Sequence, residues 1–131
     1  MFILLRIYLI GLPENARQMG KAILRYSERA RADLAEIFEQ GRAQRGEEGW
    51  DGARGYVAKI VDAISSLADY PERGPVPPEL EALGERNWRQ ITHAPYRVIY
   101  LLEGDAVTIA LVADSRRDFA SLLQKRLLSA R

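Results

Sequence analysis

Cysteine is absent from the 131 residues, and histidine occurs once, at His93. Without cysteine there is no disulfide framework, no thiolate nucleophile and no thiolate metal site. A single histidine leaves no set of three or four ligands for zinc of the usual nitrogen and sulfur kind. Neither a metal nor another cofactor is therefore expected. Lysine is nearly as scarce: Lys21, Lys59 and Lys125 are the only three, so basic character rests on arginine. No apolar run reaches the roughly 20 residues that cross a bilayer, which argues against a membrane partner. The P-loop, the G-x-G-x-x-G fingerprint, H-E-x-x-H and G-x-S-x-G are all missing, so no nucleotide-driven or conventional hydrolytic chemistry is indicated. A cytoplasmic protein is the expectation.

What is present fits one globular domain: 47% hydrophobic and 28% charged residues in 14.8 kDa, enough to bury roughly two-thirds of the unfolded surface. Residues 2–12 are strongly apolar and broken only by Arg6. No basic residue precedes this run and no small-residue cleavage pattern follows it, which makes it a poor secretory leader. Pro13 ends it, and Met19 reads as a second start. Residues 1–18 are thus expected to be an extension or an extra edge element, and residues 19–131 a single domain.

Charge is uneven. Residues 22–85 carry 8 basic and 13 acidic groups, net −5, whereas residues 86–131 carry 8 basic and 4 acidic groups, net +4. The C-terminal part can face an anionic partner, such as a nucleic acid or an acidic protein, or simply carry solvated charge.

Residues 22–26 read as a strand. Ser27 offers an N-cap hydroxyl with Glu28 behind it, and Ala30, Leu34, Ile37 and Phe38 follow helical spacing. A polar break at 41–49 precedes a second helix opening near Asp51, with Ala53, Val57, Ile60, Val61, Ile64 and Leu67 on one face. The two form a helical hairpin. Pro71, Pro75, Pro77 and Pro78 make residues 71–78 a loop, with one helical turn over 79–83. Strands are expected at 88–92, 96–102 and 106–113, the last two joined by a tight turn through Gly104. A closing helix follows, capped by Ser115 with Asp118 three residues on, and with Phe119, Leu122, Leu123 and Leu127 as its stripe. The order β-α-α-β-β-β-α defines an α+β fold: an antiparallel meander sheet with a helical hairpin packed on one face.

Arg89 and Arg97 fall inside strands and are expected on the face away from the helices or near an edge. There they are either ion-paired or poised as guanidinium forks for phosphate or carboxylate. Arg116 and Arg117 stand where the last helix begins, and two cations there oppose the helix dipole. Asp114 and Asp118 can offset them, or an anionic partner can. His93 is either a surface residue or a proton-transfer group. Trp50, Trp88, Tyr96 and Tyr100 are expected in core or interface packing rather than in base stacking.

The string running from Ala22 to Leu34, the turn at 70–74, residues 95–100 with Tyr96, Arg97 and Tyr100, and Arg116 to Asp118 followed by Lys125 and Arg126 resemble the RelE/ParE toxin family over residues 22–128. That resemblance implies the small RelE/ParE-like fold with this same element order. It also implies a toxin of a bacterial type II toxin–antitoxin module, neutralised by a cognate antitoxin protein. One branch of the family cuts messenger RNA on the ribosome without a metal; here that chemistry would fall to Arg89, His93, Arg97 and Arg116. The other inhibits DNA gyrase by binding, and Arg116, Arg117, Lys125 and Arg126 would contact the target. The departures favour the second. Phe119 stands where nucleolytic members often carry Tyr or His, and Glu79, Glu81 and Glu85 make the segment before Arg89 acidic rather than lysine-rich.

Overall fold

The computed structural model describes residues 21–45 and 49–130. The apolar extension and Met19 lie outside the described residues, as do the side chains of 44–51 and 127–130, Leu127 included. The elements are β1 (Ile23–Tyr26), α1 (Glu28–Arg45), α2 (Gly49–Ser65), a 3-10 turn (Ser66–Ala68), α3 (Pro78–Glu81), β2 (Trp88–His93), β3 (Tyr96–Glu103), β4 (Ala106–Asp114) and α4 (Phe119–Ala130). This is the element order expected from the sequence.

Ser27 caps α1: its Oγ accepts the N–H of Ala30 at 3.0 Å, satisfying one orphan donor of the first turn. Ala30, Leu34, Ile37 and Phe38 are buried along one stripe. The expected break at Gly41 does not occur, and α1 continues to Arg45. Gly41 lies against α2 instead, where a Cβ would stand 3.6 Å from that of Ala53. The hairpin of α1 and α2 is thus packed closely at this point.

The four strands form one sheet in the order β1-β4-β3-β2. The meander β2-β3-β4 is antiparallel, but β1 lies parallel to β4, with Ile23 opposite Ala106 and Tyr26 opposite Ile109, so the sheet is mixed. The hairpin covers one face over a core that includes Leu34, Phe38, Ile60, Ile64, Val98, Tyr100 and Ile109. The other face is not open. Leu80 of α3 and Phe119 and Leu123 of α4 cover it, with Trp88, Ile99 and Leu111 from the sheet.

Helices therefore pack on both faces, not only on the one that alternation had suggested. The cause is visible in β4, whose residues from Val107 to Ala113 are apolar at every position but Thr108; a strand apolar on consecutive positions needs cover on both sides. A bulge assists. Tyr100 stands opposite Ile109 and Ile99 opposite Leu111, leaving Ala110 as the extra residue. Val107 and Ile109 consequently face the hairpin, while Leu111 and Ala113 face α4.

The N-cap of α4 is Asp118, not Ser115. Asp118 Oδ1 accepts the N–H of Ser121 at 3.2 Å and Oδ2 accepts its hydroxyl at 2.8 Å. The carboxylate also favours the positive end of the helix dipole. Arg116 and Arg117 therefore precede the helix, in a turn, and the opposition to the dipole read from the sequence is relieved.

Candidate functional site

Three of the arginines singled out in the sequence, Arg89, Arg97 and Arg126, are engaged within the fold. Arg89 projects on the hairpin face, beside Tyr100. Its Nη1 donates to the carbonyls of Glu72 (3.1 Å) and Gly74 (2.9 Å). The buried Tyr100 hydroxyl holds the same loop, accepting the Gly74 N–H at 3.1 Å and donating to the Pro71 carbonyl at 2.7 Å. Burial pushes the Tyr100 hydroxyl above its ordinary pKa. Gly74 is required here by close approach, since a Cβ would fall 2.1 Å from the Gln90 carbonyl oxygen. Gln90 N–H donates to Pro75 at 2.9 Å, so the loop runs against the outer edge of β2.

Arg97 sits on the opposite face, with its guanidinium 4.0 Å from the centre of the Phe119 ring. It makes two 3.0 Å bonds to the carboxylate of Glu79 and also bonds Gln90 Oε1. This bidentate pair holds the Glu79 carboxyl below its ordinary pKa. Arg97 thereby ties α3 and α4 to the sheet. The two strand arginines do not converge. His93 shares the face of Arg89 but stands four residues along the strand, about 13 Å at the strand rise.

Arg126 crosses from α4 to α1 over the half of β4 that β1 does not cover. Its Nη1 donates to the Ala110 carbonyl (2.7 Å) and to Asp33 Oδ2 (3.1 Å), and its Nη2 donates to Asp33 Oδ1 (3.0 Å). Asp33 Oδ2 also accepts the Val112 N–H at 2.9 Å. The pair is largely enclosed, with side chains 11% and 14% exposed. It does for Ala110 and Val112 what a neighbouring strand would do.

The remaining cations gather at one end of the sheet. The turn after β4 packs on the β2–β3 turn through Ser115 N–H to Pro95 C=O at 2.8 Å. Tyr96 stands opposite His93 on one side and Asp114 on the other, and lines one groove with Arg117. Arg116 pairs with Asp114 through Nε (2.9 Å) and Nη2 (2.6 Å), yet stays 84% exposed. Its guanidinium and backbone N–H hold the Asp114 carboxyl down to about 2. Tyr96 stacks edge-on against Tyr56 at 5.8 Å, and burial raises its hydroxyl pKa. Arg117 and Lys125 are exposed. Among the described residues no cluster of three metal-binding side chains occurs, and no helix is long and apolar enough to cross a membrane.

Sequence reading missed Asp33 and the roles of Glu79 and Tyr100: the two carboxylates hold arginines, and the tyrosine hydroxyl anchors the loop that Arg89 also bonds. Gly74 within a proline-rich loop was the one local signal available for this network.

A mixed four-stranded sheet with a helical hairpin on one face and a terminal helix on the other, carrying a basic turn at its end, is the build of the small RelE/ParE-like fold. Among solved structures it matches a chain of the chromosomal ParDE TA system from P. aeruginosa, at TM-score 0.57 and 20% identity, over 70% of this chain and 92% of that one. No curated protein matches the sequence. The family model for the ParE toxin of the type II toxin–antitoxin system parDE matches residues 24–119. The chain belongs to the ParE toxin family.

Proposed function

We propose that the chain is the toxin of a type II toxin–antitoxin module, acting in the cytoplasm as a binding inhibitor of DNA gyrase and neutralised by a cognate antitoxin. Membership of the ParE toxin family supports the toxin assignment. The observation that carries inhibition by binding is the placement of the arginines. Arg89 and Arg97 lie on opposite faces and are bonded to loop carbonyls and to Glu79. Cleavage through a 2′-hydroxyl needs an acid and a base within reach of one scissile bond, and these groups do not meet. Exposed cations stand at the end of the sheet instead. In this reading Arg116, Arg117 and Lys125 contact the target, and Arg126 sets the position of the helix that presents Lys125.

Induction without antitoxin, followed with labelled thymidine and labelled methionine in parallel, tests the target. DNA synthesis falling first supports gyrase. Protein synthesis stopping within minutes while DNA synthesis continues would replace this reading with ribosome-dependent RNA cleavage, and Arg89 and His93 would become the first variants. Replacing Arg116 and Arg117 together by Ala is expected to abolish growth arrest with the fold intact; undiminished arrest would remove them from the contact surface.

A further inference from the structure

The outer edge of β2 is only partly covered. Gln90 N–H faces away from β3 and meets the Pro75 carbonyl at 2.9 Å, so the 71–75 loop makes one rung of a pseudo-strand. Pro75 has no N–H to continue that pairing, and the chain turns away. Strand alternation points the N–H and C=O of Thr92 in the same outward direction. Among the described residues neither meets another backbone group. Beside them lies a groove of about 220 Å³ lined by Arg73, Gly74, Pro75, Gln90, Ile91 and Thr92. Arg73 is the one charged residue of that lining, and it is exposed. The loop that carries it is fixed at both sides by Arg89, Tyr100 and Gln90. Arg73 is therefore presented on a braced support beside an open backbone rung.

We propose that this groove receives an extended acidic segment of the antitoxin, which pairs its backbone with Thr92 and sets a carboxylate against Arg73. The inference rests on the antitoxin reading given above. Main-chain pairing at a sheet edge supplies affinity without sequence demands, and the guanidinium selects the acidic side chain and fixes the register. Lysine- or arginine-bearing segments are disfavoured by the same cation.

The test uses the complex of the full chain with the product of the small gene adjacent to its own, purified after co-expression. Amide hydrogen exchange is read in the free toxin and in the complex. The Thr92 amide is expected to slow at least tenfold on binding. Thr92→Pro removes only an outward N–H, which an edge strand tolerates, and Arg73→Glu reverses the one lining charge. Each is expected to weaken the complex tenfold or more with an unchanged circular dichroism spectrum. A complex that forms while Thr92 exchanges at its free rate overturns this site and leaves the antitoxin reading standing. So does a complex in which both variants bind like the parent. If no complex forms, the antitoxin reading itself falls, and this site with it.

Discussion

Removing the Asp33 carboxylate is the most searching perturbation of this fold, because three elements meet on it. Asp33→Ala leaves the Val112 N–H without an acceptor and the Arg126 guanidinium with only the Ala110 carbonyl. Breaking an enclosed ion pair by deleting one partner costs about 3–5 kcal/mol, and an orphaned backbone N–H adds about 1–3 kcal/mol. Both groups keep slight solvent contact, so water recovers part of the loss and about 3 kcal/mol is expected. For a domain of roughly 110 residues, that lowers the melting temperature by about 10–15 °C. In urea it moves the midpoint by about 1.5–2 M, with a slope near 1.5–2 kcal/mol per M. The assay is urea unfolding followed by circular dichroism for the parent, Asp33→Ala, Arg126→Leu and the double variant. The double variant should lose clearly less than the sum of the two single losses, because the second change no longer strands a charge. A loss below about 0.5 kcal/mol for Asp33→Ala, or strict additivity in the cycle, would refute the view that this pair closes the β4 edge.

Further outcomes follow from the same geometry. Gly74→Ala drives a Cβ into the Gln90 carbonyl; a loss of about 2 kcal/mol or more, read by thermal melting, is expected, and a neutral result would disprove the close approach. Gly55→Ala, in α2 with nothing within 4 Å of the added carbon, should raise stability by about 0.5–1 kcal/mol, and a decrease would contradict that open space. On acidification, the depressed Asp114 carboxylate contributes stability that is complete above its ordinary range near pH 4 and is lost as pH falls toward about 2, and the depressed Glu79 carboxylate adds a loss of the same sign below its ordinary range. Melting temperature should therefore drop over that interval in the parent and drop less in Asp114→Asn. Tyr100→Phe should cost about 1–3 kcal/mol and release the 71–75 loop; unchanged amide exchange at Gly74 would count against the hydroxyl as its anchor.

Elements were legible where one local rule governed them. The three meander strands run one residue longer than their apolar runs indicate and β1 one residue shorter, and Ser27 caps α1 as its position implies. The cap of α4 was misassigned because Ser115 and Asp118 both suit the role; only the hydrogen bonds to Ser121 distinguish them. The parallel partnership of β1 and β4 depends on residues some 80 positions apart, and no periodicity encodes such a pairing. The cover on the second face was present in the unbroken apolar run of β4. Arginine roles were the least readable feature. Arg89, Arg97 and Arg126 owe their places to a loop carbonyl, to Glu79 and to Asp33 respectively, and none of these partners is near in sequence.

The parallel pairing of β1 with β4 also sets when the molecule can exist. As the chain is made, β1 emerges early and has no strand to join until residues 106–109 follow. At 5–20 residues per second that wait lasts roughly 4–16 s, and closure of the β4 edge waits further for Arg126. In the interval the helical hairpin and the β2–β3 hairpin can form from local contacts, but β1 stays unpaired. A chain cut short before residues 106–109 thus leaves β1 without its partner strand, and one cut short before Arg126 leaves the far half of the β4 edge unsealed.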